Sequence, residues 1–389
     1  MHIDPALPYV VATLLAILLV SIFLKYARQP HVVAYLATGI ILGPHGLALI
    51  TSQDTLTRLG SFGVVLLMFF VGMEISPRRL AQNWKISVIG TLIQIVVSIG
   101  VVWLLGYWLD WSFSRIVLLG FVISISSTAV VLKLLQDWKE LDTDTGQNAL
   151  GILLVQDLAI IPMLIIIGLM SGEPISTGTL SLQIIGGVFL VAFATFLALK
   201  DQLRIPALSW LGKDHETQVF TAAALCFGFA LITGLMQLST ALGAFIAGML
   251  VATAKETHWV HQALEPFRVI FIALFFVSIG MLLDIEFFVE RWWKITSLVV
   301  AVLLLNTVIN AAILRGLGEN WRNSIYGGTL LSQIGEFSFV LAAAGFHASV
   351  INDTGYQYAV AVIILSLVIS PMWIMTIKRF FCFHRGLRE

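Results

Sequence analysis

Apolar runs about 20 residues long recur along this chain, and that length carries an α-helix across the hydrocarbon core of a bilayer. Hydrophobic residues make up 59% of the sequence and charged residues only 11%, whereas soluble domains carry roughly 25% charged residues. In lipid a segment must satisfy its own backbone groups, which favours helices. The sequence therefore predicts an all-α polytopic membrane protein, with the lipid bilayer as its surroundings.

Thirteen membrane spans are predicted, and all of residues 1–389 are assigned to a single transmembrane domain. The predicted spans are residues 6–25, 30–49, 56–75, 85–108, 115–135, 147–171, 179–200, 216–234, 239–254, 263–284, 292–314, 323–347 and 356–381. With the N-terminus outside, eighteen of the 22 Lys and Arg residues fall on the cytoplasmic side. The positive-inside rule then predicts an outer N-terminus and a cytoplasmic C-terminus.

Two pairs of similar segments indicate an internal repeat. Residues 36–43 in the second span resemble 245–252 in the ninth, and 67–75 in the third resemble 274–282 in the tenth. Each pair is seven spans apart, so its members cross the membrane in opposite directions. The sequence predicts two inverted six-helix repeats, spans 1–6 and 8–13, as in many secondary transporters.

Two carboxylates, Asp157 in the sixth span and Glu336 in the twelfth, lie far from any span end. Ionisable residues at this depth are costly and mark functional sites by default. The fifth span carries four hydroxyl residues within "SISST" (124–128), and the twelfth carries a polar run (332–338). Such stretches are typical of interrupted helices. Interrupted helices in corresponding positions of two repeats indicate a central transport site.

We expect the proton and a cation to compete for Asp157. Burial disfavours a charged carboxylate, so this acid can bind a proton or a dehydrated cation. The other expected ligands are Gln156, Ser126, Ser127 and Thr128. Oxygen ligands suit hard ions such as K⁺ or Na⁺, and a single carboxylate argues against a divalent ion. No resident cofactor is expected.

Other classes of function are less compatible with the sequence. Its net charge of zero offers no basic surface for nucleic acid, and its two cysteines form neither a disulfide framework nor a metal motif. The histidines lie at the N-terminus, in loops or near span ends, so an intramembrane serine protease is not supported. No enzyme is predicted. A cation channel remains an alternative, although no repeated filter sequence accompanies the deep aspartate.

Seven segments, in order along the chain, resemble the Kef-type potassium/proton branch of the monovalent cation:proton antiporters. They are "GIILGPHGL" (39–47), "LLMFFVGMEISPRRL" (66–80), "SSTAVVL" (126–132), "LLVQDLAIIP" (153–162), "STALGAFIAGMLVA" (239–252), "HQALEPFRVIFIALFFVSIGMLLD" (261–284) and "IGEFSFVL" (334–341).

The resemblance implies a homodimer in a bacterial inner membrane, working by an elevator-type mechanism. Spans 1–3 and 8–10 would form the scaffold, spans 4–6 and 11–13 the ion-carrying core with crossed broken helices, and span 7 the linker. The Gln156–Asp157 pair suggests one-for-one K⁺/H⁺ exchange, with Na⁺/H⁺ exchange as the alternative.

Departures from the family pattern affect other residues. Relatives often have a lysine where this chain has Asn306, which puts the stoichiometry in question. Asn306, Gln333 and Glu336 are expected to support the core, and Glu336 is alternatively a second proton site.

Residues 255–267 resemble the segment on which a cytosolic regulatory domain acts in the family. Here that domain is expected to be separate or truncated. The candidate gating or entrance residues are Glu74, His261, Glu265 and Arg268. Glu74 and Arg268 lie near span ends, and alternatively their side chains only extend towards water.

Overall fold

The structure is a computed structural model. It describes residues 7–26, 29, 31–50, 53–74, 84–170, 177–199, 215–236, 238, 240–253 and 258–382. The elements in this part of the chain are all helical, which confirms the predicted fold class. The helices are α1 Leu7–Tyr26, α2 His31–Leu42, α3 Gln53–Glu74, α4 Gly90–Trp108 (after a π-helical turn, Lys85–Ile89), α5 Phe113–Ser124, α6 Thr128–Asp137, α7 Asp144–Met170, α8 Thr177–Leu199, α9 His215–Leu235, α10 Thr240–Thr253, α11 His258–Gly280, α12 Ile285–Glu290, α13 Trp292–Gly316, α14 Trp321–Leu330, α15 Phe337–His347 and α16 Asp353–Cys382.

Helix length and apolarity agree with a membrane location. Within the described residues, 7 helices are long and apolar enough to cross a membrane, with the interrupted segment 113–137 counted as one. Six shorter apolar helices fall on the remaining predicted spans. The number of thirteen crossings stays a prediction.

Two predicted spans end earlier than expected. The second was predicted to reach residue 49, but α2 ends at Leu42, where a Gly43–Pro44 sequence interrupts it. Proline lacks a backbone N–H and disfavours a helical residue before it. The tenth was predicted to reach residue 284, but α11 ends at Gly280. Asp284 instead caps α12 by accepting a hydrogen bond from Phe287 N at 3.0 Å.

The chain divides into two compact units by its internal contacts. The larger comprises Met1–Gln53, Trp84–Glu173 and Phe276–Glu389, and the smaller comprises Asp54–Asn83 and Pro174–Phe275. The helices that correspond to the predicted spans 4–6 and 11–13 all belong to the larger unit. The assignment of spans to a scaffold and a core stays a prediction.

Paired glycines bring helices into backbone contact in each unit. In the larger unit, a Cβ on Gly39 of α2 would lie 2.1 Å from a carbonyl oxygen of α11, and one on Gly280 of α11 would lie 2.2 Å from a carbonyl oxygen of α2. In the smaller unit, Gly72 of α3 and Gly248 of α10 show the same reciprocal contact, each at 2.1 Å. The inverted repeat makes α2 the counterpart of α10 and α3 that of α11. The two glycine pairs therefore join corresponding pairs of helices in the two repeats.

Candidate functional site

The first interrupted helix breaks between α5 and α6. After Ser124 the backbone is extended at Ile125 and at Ser127 before α6 begins at Thr128. The hydroxyl oxygen of Ser127 accepts a hydrogen bond from Val130 N at 3.2 Å and so caps α6. Serine is a favoured N-cap because its oxygen satisfies an otherwise unpaired N–H of the first turn. This break confirms the interruption predicted from the hydroxyl-rich sequence of the fifth span.

The second interrupted helix breaks between α14 and α15, and the two breaks contact each other directly. Gly335 N donates to Ile125 O at 2.7 Å, and the Ser126 hydroxyl donates to Leu331 O at 2.8 Å. A Cβ on Gly335 would lie 2.4 Å from Ser126 O. Only glycine allows the two backbones to approach this closely, so the crossing depends on this residue.

Asp157 lies on α7 beside this crossing. Its Oδ2 accepts a hydrogen bond from the Thr128 hydroxyl at 3.1 Å, which connects the aspartate to the first residue of α6. Its Oδ1 is buried and has no hydrogen-bond partner among the described residues. The predicted neighbours Ser126, Ser127 and Thr128 are therefore at the same crossing, but only Thr128 has a hydrogen bond to Asp157.

Gln156 closes a chain of hydrogen bonds around the first break. Its Oε1 accepts from Ser126 N at 2.9 Å, and its Nε2 donates to Gln94 Oε1 at 2.8 Å. Gln94 Nε2 in turn donates to Ser124 O at 3.0 Å. These two buried amides thus satisfy the backbone groups on either side of Ile125. We call this arrangement, formed by Gln94 and Gln156, the amide clamp.

The amide clamp gives Gln156 a different environment from the one expected of a cation ligand. Its carbonyl oxygen is directed at a backbone N–H, although that oxygen retains a second lone pair. Its role as a ligand stays a prediction. The sequence did not lead us to select Gln94. It is the sole amide side chain of the predicted fourth span, and this could have indicated a role in the site.

Glu336 lies at the N-terminus of α6. Its Oε1 accepts a hydrogen bond from Ala129 N, in the first turn of that helix, at 3.4 Å. The positive end of the α6 dipole and this backbone donor favour an acidic group here. Glu336 is also close enough to Asp157 for the two carboxylates to interact electrostatically.

Asn306 of α13 bridges the two interrupted helices. Its Nδ2 donates to Ile123 O at 2.9 Å and to Ser332 O at 3.1 Å. A neutral amide therefore binds backbone carbonyls at the position where related chains were expected to carry a lysine. The neighbouring Gln333 is completely buried, and neither its Oε1 nor its Nε2 has a partner in the described part of the chain.

Buried polar atoms without partners are concentrated around the crossing. Within the described residues they include Asp157 Oδ1, Asn306 Oδ1, Ser332 Oγ, Gln333 Oε1 and Nε2, and Glu336 Oε2. Native proteins contain few such atoms, and each calls for an explanation. Moreover, no Lys, Arg or His side chain of the described residues forms an ion pair with Asp157 or Glu336. Since an unpaired buried charge is strongly unfavourable, this site can accept positive charge from outside the protein chain.

The candidate gating residues belong to the smaller unit. Arg268 pairs with Glu265 at 3.1 Å, and its guanidinium lies 4.8 Å from the centre of the Phe70 ring. The side chains of Glu74 and His261 lie outside the described part of the structure. A gating role for these four residues stays a prediction.

Comparison with known proteins matches most of the chain to one family of transmembrane exchangers. Residues 10–378 match the family described as "Sodium/hydrogen exchanger, transmembrane". The chain is 34% identical over 375 residues to the iron transporter MagA of Paramagnetospirillum magneticum, covering 96% of this chain and 86% of that protein. It is 31% identical over 353 residues to the glutathione-regulated potassium-efflux system protein KefC of Salmonella heidelberg, covering 90% of this chain but 56% of KefC.

The fold resembles that of a solved antiporter. The sodium proton antiporter MjNhaP1 of Methanocaldococcus jannaschii superposes with a TM-score of 0.71 over 97% of both chains, at 14% sequence identity. This likeness supports the helical fold with inverted repeats. The chain spans about half the length of the KefC relatives that it matches.

Proposed function

Because the chain belongs to the sodium/hydrogen exchanger family of integral membrane proteins, whose members exchange cations for protons, we propose that it exchanges K⁺ for H⁺ and that both ions compete for Asp157. The observation that carries this proposal is the buried, unpartnered Oδ1 of Asp157 at the crossing, with no basic side chain of the described residues paired to it. The interrupted helices provide backbone dipoles around it.

Competition for one carboxylate explains coupling. The charge of Asp157 is compensated when it holds either a proton or a monovalent cation, and it is uncompensated when Asp157 holds neither. Transfer of a bare carboxylate through a dry environment is strongly unfavourable. The protein therefore changes orientation only when loaded, and each cation moved in one direction is matched by a proton moved in the other.

The choice of K⁺ rests on the KefC relatives and on the Gln156–Asp157 pair. Na⁺ is the alternative, since the family is named for sodium. Iron(II) belongs in the test because MagA is named an iron transporter and Glu336 places a second carboxylate near Asp157. Against it, no group of three or more His, Cys, Asp or Glu residues that could hold a metal ion occurs in the described structure.

The remaining parts of the proposal concern the assembly. We place the protein as a homodimer in a bacterial inner membrane with its N-terminus outside, and we assign movement of the ion-carrying core to an elevator-type mechanism. Glu336 supports the N-terminus of α6, in keeping with the hydrogen bond that it accepts from Ala129 N. Control by a cytosolic domain on a separate chain or segment is part of the same proposal.

The proposal is tested with purified protein in liposomes that contain a pH-sensitive dye. K⁺, Na⁺, Li⁺, Fe²⁺ or choline is added outside, and the proton flux is followed for the wild type, Asp157→Asn and Asp144→Asn. Asp144 is the matched control because it is an exposed aspartate in the first turn of the same helix.

K⁺ is expected to move protons in the wild type and in Asp144→Asn but not in Asp157→Asn, without dependence on the membrane potential. Proton flux that appears only when a protonophore is added, and that then follows the membrane potential, would indicate a K⁺ channel. Full exchange by folded Asp157→Asn would refute the assignment of the site.

A further inference from the structure

The two interrupted helices are joined a second time, away from their crossing, by Glu140. This residue lies in the connection between α6 and α7. Its Oε1 accepts from Lys378 Nζ of α16 at 2.7 Å, and its Oε2 accepts from the Tyr326 hydroxyl of α14. The Lys378 ammonium also lies 4.2 Å from the centre of the Trp138 ring, in the turn that follows α6. We call Glu140, Tyr326 and Lys378 the end cluster.

The end cluster is more strongly built than an ordinary surface ion pair. The side chains of Lys378 and Glu140 are 28% and 26% exposed, against 39% and 40% for the Lys133–Asp137 pair on α6. Exposed pairs contribute little, whereas partly desolvated, charge-assisted hydrogen bonds are shorter and stronger. Both oxygens of Glu140 are used, so the orientation of its carboxylate is fixed as well as its position.

The position of the cluster relates it to the ion site. α6 has 10 residues and extends about 15 Å from Thr128, at the crossing, to Asp137. A helix this short is marginal alone, and packing and end contacts determine its position. The crossing holds its first residues, and backbone bonds such as Glu140 N to Leu135 O hold its last turn to the following connection. The Glu140 side chain then ties that connection to α14, one turn before α14 ends at Leu330.

We propose that Glu140 is a positioning residue for ion binding, acting through α6. Thr128, the first residue of α6, donates to Asp157, and Ala129 N donates to Glu336. If the far end of this short helix is released, both donors lose their fixed distance from the two carboxylates. The proposal rests on the assignment of Asp157 as the ion site, and it adds a cluster that binds neither ion but sets the affinity of the site.

The test compares Glu140→Gln with Asp137→Asn in the liposome exchange assay. Asp137 is the matched control because its ion pair lies on the same helix end but does not connect it to α14 or α16. Loss of an interaction that stabilises the ground state and the transition state equally raises KM without changing kcat. A misplacement near 1 Å can cost up to a factor of 100 in a positioned site, so we expect the KM for K⁺ to rise about tenfold in Glu140→Gln. We expect kcat to stay within about twofold and Asp137→Asn to resemble the wild type.

A second variant separates positioning from stability. Tyr326→Phe keeps the Lys378–Glu140 pair and removes the bond to α14, so it should also raise KM. Thermal stabilisation by K⁺ in detergent gives a readout that does not require transport. In both variants, half of the full stabilisation should require a K⁺ concentration that is higher by the same factor as the KM. An unchanged KM and unchanged K⁺ stabilisation in the folded variants would overturn the proposal. Failure of the proposed function would instead appear as absence of K⁺-driven proton flux in the wild type.

Discussion

Replacing either amide of the clamp by methionine should destabilise the protein, because methionine has a similar shape but cannot hydrogen-bond as an amide does. Gln94→Met leaves Gln156 Nε2 and Ser124 O without partners, and Gln156→Met leaves Gln94 Oε1 and Ser126 N without partners. An unsatisfied buried group costs about 1–3 kcal/mol, so each single substitution should cost about 2–6 kcal/mol.

The double substitution makes the prediction specific. Gln94→Met/Gln156→Met removes both side-chain amides and again leaves two unsatisfied groups, Ser124 O and Ser126 N. Its cost should therefore equal that of one single substitution rather than the sum of both. Such non-additivity is the signature of residues in one hydrogen-bond network.

Thermal unfolding in detergent, followed by tryptophan fluorescence, measures the effect. Gln357→Met on α16, a partly exposed amide, is the control and should leave the apparent melting temperature unchanged. Both single variants should melt several degrees lower, and the double variant should melt no lower than they do. If the loss of stability in the double variant equals the sum of the two single losses, or if Gln94→Met is as stable as the wild type, the stabilising role of the amide clamp is refuted.

Three further outcomes are expected. Gly335→Ala should abolish exchange in liposomes while the protein still inserts, since its Cβ would lie 2.4 Å from a facing backbone oxygen; Gly100→Ala, with nothing within 4 Å, should retain full activity. Gly72→Ala should reduce the yield of folded protein in detergent gel filtration, because its Cβ would lie 2.1 Å from a carbonyl oxygen of α10. Asn306→Leu removes the donor to two carbonyls and should lower the melting temperature, whereas an unchanged value would show that the bridge is dispensable.

The fold class and the interrupted helices could be predicted because they depend on local properties of the sequence. Span length follows from apolar run length, and the depth of Asp157 follows from its position within its run. The interruption at residues 125–127 follows from hydroxyl residues that satisfy backbone groups. The early end of α2 was missed although Pro44 signals it, because the apolar run itself continues past the turn.

The partners of the polar residues could not be predicted, because they depend on which helix faces meet. Gln94 and Gln156 are 62 positions apart, and Glu140 meets Tyr326 and Lys378 across 186 and 238 positions. A single sequence carries no information on such pairs. For the same reason, the expectation that the Gln156 carbonyl faces a cation did not anticipate its hydrogen bond to Ser126 N.

Proton release on cation binding tests the central claim most directly. Purified protein in detergent and weak buffer is titrated with K⁺ while a dye reports the protons released. If both ions compete for Asp157, the wild type and Asp144→Asn release about one proton for each K⁺ bound, and Asp157→Asn releases none. K⁺ binding without proton release, or undiminished release by Asp157→Asn, would contradict the account.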